Sequence, residues 1–158
     1  MRKWVIVFFT LLTGSLYAQK DTNDVSDAIE IPGDVDSAFA IARDYAYDGE
    51  YEKARTILTF FSRRYPGYKG LSLFNARTYL YEKEYKTAAK LARSFDAKDT
   101  ASYIEAKRIL LLAKKYDKQF DTALVVANSA LKDTVNDEFF QTQRAQILKD
   151  QKEFKESL

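Results

Sequence analysis

The chain has 158 residues, with 25 basic and 23 acidic side chains, and its length suits a single domain. Apolar residues make up 46% of it and there are only 5 Gly and 2 Pro, so we expect a globular, mainly helical protein. Because the sequence contains no Cys and no His, disulfides, thiol nucleophiles, His-based catalytic triads and Cys/His zinc sites are excluded.

Residues 1–19 have the pattern of a secretory signal peptide. Arg2 and Lys3 precede the apolar run 4–13, and Ala18 supplies the small residue at a cleavage point. A membrane-spanning helix needs about 20 apolar residues, and Gly14 interrupts this run earlier, although an uncleaved anchor is the alternative. The pattern predicts export across the inner membrane, which places the mature chain in the periplasm or at the outer membrane.

The mature chain is expected to be electrically neutral. Removing residues 1–19 takes away two basic residues and no acidic one, which leaves 23 of each sign. A neutral surface lacks the electrostatic contribution that drives nucleic-acid binding, so we expect no nucleic-acid partner. Residues 20–33 are polar and acidic and end in Pro32-Gly33, which predicts a leader or linker before a domain at 34–158.

From Asp34 onwards, apolar residues recur with a period near 3.6, which predicts short helices. Asp34 is the expected N-cap of the first one, and Pro66 is expected to end the second. The pattern predicts seven helices in antiparallel pairs and no sheet. Polar joints separate them around Gly49, 66–70, 98–99, 117–119 and 134–137.

A sequence repeat runs through this region. The string GEYEKA at 49–54 returns as KEYKTA at 83–88, KQFDTA at 118–123 and KEFKES at 152–157, in steps of 34, 35 and 34 residues. We expect each aromatic residue to fill the turn between two helices. The small residue three positions later should then let the two helices approach closely. These small residues are Ala54, Ala88, Ala123 and Ser157.

The 34-residue period, the Gly-x-Tyr-x-x-Ala signature, an alanine in the first helix of three of the repeats (Ala42, Ala76 and Ala145) and a late proline resemble the tetratricopeptide repeat (TPR) family. This resemblance implies an all-α fold, an α-solenoid of about three and a half repeats in a right-handed superhelix. The sequence departs from the family at Lys114, where Tyr is usual, and at Thr100 and Val135, where Pro is usual. The repeats are 35–68, 69–103, 104–137 and an incomplete 138–158.

A narrower resemblance concerns the first two repeats. The run Ala-Arg-x-Tyr-x-Tyr-x-Gly-x-Tyr-x-x-Ala at 42–54, then Tyr-Pro-Gly-Tyr at 65–68, is similar to the periplasmic repeat segment that precedes the barrel in YaiO-type outer-membrane proteins of Gram-negative bacteria. Generic variation among repeats is the alternative. Because a last joint is expected at Phe154, we expect either a longer polypeptide or a partner to cover the apolar side of residues 139–148.

The TPR resemblance also implies a concave groove lined by the first helix of each repeat. Tyrosines in a row, with arginines one turn earlier, suit stacking on a peptide or a sugar ring while the guanidinium groups bind carboxylates. The alternative is that the tyrosines pack between repeats and the arginines pair with local acids such as Asp44 and Asp48. The groove positions are Phe39, Arg43, Tyr47, Leu73, Arg77, Tyr81, Arg108, Leu112 and Tyr116.

These residues predict a non-enzymatic scaffold of the cell envelope that binds a protein or peptide in its groove. The alternatives are a glycan-binding module of envelope polysaccharide export or modification, and an enzyme that uses Asp, Glu or Tyr alone. We expect no cofactor, no metal and no membrane-spanning helix in the mature segment. The carboxylate pairs Asp21/Asp24 and Asp133/Asp137 are interpreted as solvated caps.

Overall fold

The computed structural model describes residues 33–95 and 100–157, and these form seven α-helices and no β-strand. The all-helical prediction is confirmed for this part of the chain. The predicted signal peptide, the leader as far as Pro32, including the pair Asp21/Asp24, and the joint at 98–99 lie outside the described residues. The helices are α1 (Val35–Tyr47), α2 (Tyr51–Arg64), α3 (Lys69–Tyr81), α4 (Tyr85–Ala92), α5 (Thr100–Tyr116), α6 (Phe120–Asp133) and α7 (Glu138–Glu156).

Each helix packs against the next one in the chain, from α1 to α7. Short connections between packed neighbours make consecutive helices antiparallel. Two further contacts skip one helix: α1 also packs against α3, and α3 also packs against α5. The odd-numbered helices α1, α3 and α5 therefore lie side by side.

Side chains of the chain itself define several helix ends. Asp34 caps α1, because its carboxylate accepts hydrogen bonds from the backbone N–H groups of Asp36 at 3.0 Å and Ser37 at 2.9 Å. Asp137 caps α7 by accepting from the N–H of Phe140 at 3.4 Å. At the other end of a helix, α2 stops at Arg64, two residues before Pro66. The predictions for Asp34 and Pro66 are confirmed.

The helices α1, α3 and α5 end in the same backbone motif. After α1, the N–H of Gly49 donates to the carbonyl of Ala46 at 3.3 Å, and the N–H of Glu50 donates to the carbonyl of Tyr45 at 2.8 Å. This pair of bonds is a Schellman motif, which needs a left-handed residue after the helix. Gly49, Lys83 and Lys118 fill that position, with φ of 82°, 67° and 57°.

Replacing Lys83 by Gly is expected to raise the free energy of unfolding by about 0.5–1 kcal/mol. A left-handed backbone is strained for a lysine and unstrained for a glycine. The reverse change, Gly49→Ala, should cost about 1 kcal/mol for the same reason. Urea unfolding measures both.

The control for this prediction is Gly67→Ala, since Gly67 has open space around it and no left-handed backbone. Gly67→Ala should leave the free energy of unfolding unchanged or raise it slightly. If Gly49→Ala and Gly67→Ala cost the same free energy, left-handed strain does not explain these positions.

Alanines occupy the closest contacts between helices. Ala42, Ala54, Ala76, Ala88 and Ala123 are all fully buried, as their spacing predicts. Larger side chains fill the space around them in three groups along the chain: one across α1–α3, one across α3–α5 and one across α5–α7. The core is thus a series of local groups rather than one centre, and each group involves three neighbouring helices.

The last helix differs from the prediction. α7 is continuous from Glu138 to Glu156, so Phe154 lies inside a helix and the expected joint there is wrong. Lys152, the counterpart of Lys83 and Lys118, remains helical. Phe154 packs against Phe120 instead, with ring centroids 5.8 Å apart.

The burial of side chains along α7 follows from the continuity of this helix. Ser157 was expected at a close helix contact and Ala145 on the apolar side of the helix, but both are exposed, because no described helix crosses them. Phe140 and Ile147 are fully buried against the α5–α7 group, whereas Leu148 is 46% exposed. The apolar side of residues 139–148 is therefore partly covered: Phe140 and Ile147 are buried, Phe139 is half-buried, and Ala145 and Leu148 are exposed.

Candidate functional site

Two adjoining cavities lie along the odd-numbered helices. The first, of about 240 Å³, is formed by α1, α3 and α5, and Phe39, Leu73, Arg77 and Glu105 line it. The second, of about 260 Å³, is formed by α3, α5 and α7. Its lining includes Arg77, Tyr81, Glu105, Arg108, Leu112 and Phe139. Because Arg77 and Glu105 line both cavities, we treat the two as one surface, called here the odd-helix groove.

The structure brings together six of the predicted groove positions. Phe39, Leu73, Arg77, Tyr81, Arg108 and Leu112 all line the odd-helix groove. The other three are not among its lining residues. Tyr47 is 67% exposed and meets Phe74 edge-on, Tyr116 is 51% exposed, and Arg43 lies on the solvent side of α1.

A charge-balanced network crosses the groove. The Nε and Nη2 atoms of Arg77 donate to Oε1 of Glu105, with Nε at 3.0 Å. Arg108 lies between two carboxylates, with Nη1 3.6 Å from Oε2 of Glu105 and Nη2 2.8 Å from Oδ2 of Asp137. Two guanidinium groups thus face two carboxylates, and neither arginine is free of a partner.

The pKa values reflect these contacts. Burial alone would lower the pKa of Arg77, but the charge and hydrogen bonds of Glu105, with a smaller effect of Tyr81, raise it. Burial alone would raise the pKa of Asp137, but hydrogen bonds from Arg108 and from the N–H of Phe140 lower it. Both directions favour the charged forms of Arg77 and Asp137.

Arg108 is also held by aromatic rings. Its guanidinium carbon lies 5.4 Å from the ring centre of Phe139 and 6.0 Å from that of Phe140. Its Nε is buried and has no hydrogen-bond partner. The arginine is therefore fixed by charge and by ring contacts, and its buried Nε donor is unused.

Glu105 is the groove residue that the sequence analysis missed. The alternative to a binding role was pairing of the arginines with local acids such as Asp44 and Asp48. Arg77 and Arg108 instead form hydrogen bonds with acids 28 and 29 residues later, although Arg108 also contacts Glu105 on its own helix. That spacing is the signal that was available in the sequence. Arg43 has Leu71 and Ser72 at the same spacing, and its Nε lies 3.9 Å from Oδ1 of Asp44.

Tyr81 and Tyr116 of the predicted tyrosine row each pack against another tyrosine and remain partly exposed to solvent. Tyr81 packs against Tyr51 with ring centroids 6.5 Å apart, and Tyr116 packs against Tyr85 at 5.8 Å. In each pair the ring that begins one even-numbered helix touches the ring that ends the next odd-numbered helix. Tyr81 still has 39% of its surface exposed, so each tyrosine both joins repeats and faces solvent.

A wider depression lies on the outer side of α2. Residues such as Arg55, Phe60, Arg63 and Arg64 line it, and all its described lining residues belong to this one helix. A stripe of one helix cannot enclose a ligand, so we interpret the depression as the solvent-facing side of α2.

No protein-family model matches the chain, and a search of curated proteins finds no match. Among residues 33–95 and 100–157, no helix is both long and apolar enough to cross a membrane. The same residues contain no group of three or more acidic side chains placed to hold a metal ion. Any functional argument therefore depends on the geometry of the odd-helix groove itself.

Replacing Asp137 by Ala is expected to lower the free energy of unfolding by about 1–2 kcal/mol. The change removes the N-cap of α7 and the carboxylate partner of Arg108 together. Asp137→Asn keeps a capping side chain and removes only the charge, so its cost should be about 0.5 kcal/mol. Urea unfolding at neutral pH measures both changes.

A comparison of Asp137→Asn with wild type also gives the pH dependence of the stability that the Asp137 carboxylate contributes. Because the folded-state pKa of Asp137 is lowered, its ionised form adds stability above the unfolded-state pKa of about 3.9, and this is lost as the pH falls through the folded value. The difference between wild type and Asp137→Asn should therefore shrink below about pH 4. Asp44→Asn, at a 70% exposed side chain, is the control. A difference that grows in acid contradicts the assignment.

Proposed function

We propose that this protein is a non-enzymatic scaffold of the cell envelope, built as a TPR-like α-solenoid, that binds a protein or peptide partner in the odd-helix groove. The observation that carries the proposal is the convergence of six predicted groove residues on two adjoining cavities. Extended segments bind such grooves by placing successive side chains in neighbouring pockets.

The repeated geometry supports the solenoid. The helices α2, α4 and α6 begin at Tyr51, Tyr85 and Phe120, which are 34 and 35 residues apart, the same steps as in the sequence repeat. The Schellman motifs at Gly49 and Lys83 recur with the same step of 34 residues. Units that repeat both in sequence and in backbone hydrogen bonding are typical of solenoids.

The contacts between helices support the direction of curvature. The helices α1, α3 and α5 touch in succession, whereas within the described residues no contact of similar extent joins α2 to α4 or α4 to α6. A stack whose members are closer on one side curves towards that side. We therefore propose that the odd-helix groove is the concave face of the superhelix.

The envelope location is proposed from residues 1–19 alone. Secretion with cleavage after Ala18 should give a mature chain that begins at Gln19. N-terminal sequencing of the protein recovered from a periplasmic extract tests this. A chain that retains Met1 and stays with the inner membrane would favour the uncleaved anchor.

Site-specific cross-linking tests the binding proposal. A photoreactive phenylalanine analogue replaces Tyr81 in the groove, or Val125 on the 67% exposed side of α6 as the matched control. Irradiation in intact cells should give one major adduct from position 81 and none from position 125. The adduct is identified by mass spectrometry, and binding of the purified partner segment should weaken about tenfold with Leu112→Glu. Equal adducts at both positions would refute a groove function.

A glycan partner is the second candidate, and the open sides of the tyrosines favour it. Tyr47 and Tyr116, at the ends of α1 and α5, present large exposed ring surfaces, and aromatic rings stack on the apolar faces of sugars. Calorimetric titration with oligosaccharides from envelope polysaccharide tests this candidate. Binding that disappears in Tyr47→Ala/Tyr116→Ala but survives Leu112→Glu would favour the glycan over the peptide.

A further inference from the structure

We infer that the cavity among α3, α5 and α7 binds an uncharged ring or branched apolar side chain of the partner, and that Glu105 determines this preference by neutralising Arg77 and Arg108. The inference rests on the proposed function, since it names the chemistry of the partner in the odd-helix groove. Size, wall chemistry and charge balance support it separately.

The size of the cavity suits one side chain. Its volume is about 260 Å³, which is below the roughly 300–1,000 Å³ of sites that hold drug-sized molecules. An apolar cavity of about 150 Å³ is already enough to hold benzene. The cavity therefore has room for a single aromatic ring or a branched aliphatic side chain.

The walls of the cavity are largely apolar. Leu80, Ile109, Leu112 and Phe139 contribute hydrocarbon surface from three different helices. Leu80 and Ile109 are buried, whereas Leu112 and Phe139 are half-buried and therefore accessible at the mouth. Transfer of apolar surface from water into such a site is favourable by roughly 25 cal/mol per Å².

The charge balance disfavours ionic side chains of either sign. A carboxylate that approached Arg77 would compete with Glu105, which already accepts from Nε and Nη2, and would lie beside a second negative charge whose side chain is only 23% exposed. An ammonium or guanidinium group would meet the two positive groups of Arg77 and Arg108 against the single carboxylate of Glu105 in the cavity lining. Partly buried charges without partners are costly, so a neutral side chain is the one that leaves the network intact.

Replacing Glu105 by Gln should change the charge preference of the cavity. Arg77 has Glu105 as its hydrogen-bonded carboxylate, whereas Arg108 also has Asp137. The variant therefore frees the guanidinium group of Arg77 inside the groove. It should favour an anionic ligand, because a charge-assisted bond to arginine becomes available.

Two small probes with the same ring make this measurable on the full mature chain. Benzyl alcohol is neutral and benzoate is anionic, and methyl NMR shifts of Leu112 and Ile109 report their binding. Wild type should bind benzyl alcohol several-fold more tightly than benzoate. In Glu105→Gln the ratio of the two binding affinities should change by about tenfold or more in favour of benzoate. Glu82→Gln, which removes the partner of Arg55 outside the groove, should leave the ratio unchanged.

The double variant Arg77→Gln/Glu105→Gln keeps the inference testable if the single variant folds poorly. It removes both members of the pair, and should restore the wild-type preference for benzyl alcohol. A wild type that prefers benzoate, or shifts that miss Leu112 and Ile109, would overturn the inference, as would an unchanged ratio in folded Glu105→Gln. The probes need no natural partner. A negative result with the probes would therefore count against this inference alone, whereas a negative result in cross-linking at Tyr81 would count against the proposed function.

Discussion

Replacing Phe140 by Ala is expected to lower the free energy of unfolding by about 3–5 kcal/mol. Phe140 is fully buried in the α5–α7 group, together with Leu111, Ala127 and Ile147. Removing the ring loses its transfer from water and leaves a cavity that fixed helices close only in part. Urea unfolding followed by circular dichroism measures the change.

The neighbouring residue provides the control. Phe139 is half-buried, lines the odd-helix groove and packs edge-on to Phe140 with ring centroids 5.3 Å apart. Phe139→Ala removes the same atoms from a site open to water, so its cost should be about 1–2 kcal/mol. Phe139→Ala should instead reduce benzyl alcohol binding. Equal losses of stability from the two changes would mean that the burial of α7 differs from that described.

The helical fold was predictable because its determinants are local. The hydrophobic period, the cap at Asp34, the break at Pro66 and the small residues at Ala54 and Ala88 each act within a few positions of the chain. Such features need no knowledge of distant residues. The same argument applies to the turn at Gly49, where glycine alone is free of strain.

The prediction of a joint at Phe154 is wrong because the repeated sequence motif alone is not sufficient to end a helix. At Lys83 and Lys118 the chain adopts a strained left-handed conformation, and packing of the next helix offsets its cost. At Lys152 no described helix follows to supply that packing. The ring of Phe154 instead reaches Phe120 from within the continuous helix.

The groove positions could be placed from the sequence, but their pairing could not. The repeat places Arg108 at the position of Leu73, and Leu112 at the position of Arg77, so both arginines are assigned to the groove side of α3 and α5. Their charge partners depend on how two odd-numbered helices lie relative to each other, which the hydrophobic pattern does not encode. Glu105 therefore became visible only with the packing of α3 against α5. That one residue turns an expected anion site into a neutral one.

Replacing Ala88 by Leu is expected to lower the free energy of unfolding by about 3 kcal/mol. Ala88 is fully buried in α4, within the group that also holds Leu73, Ala76 and Ile109. Its side chain is a single methyl group, so α4 lies close to its neighbours α3 and α5. Three extra carbon atoms at this contact force side chains off their rotamers or push the helices apart. The midpoint of urea unfolding should fall accordingly.

Lys90→Leu introduces the same side chain two residues further along α4, at an exposed position. It should change the free energy of unfolding by no more than about 0.5 kcal/mol, because no packed neighbour has to move. The contrast between the two leucines separates close packing at Ala88 from a general effect of leucine on α4. A loss at both positions would point to the helix itself, and no loss at Ala88 would mean that α4 does not approach α3 and α5 through this alanine.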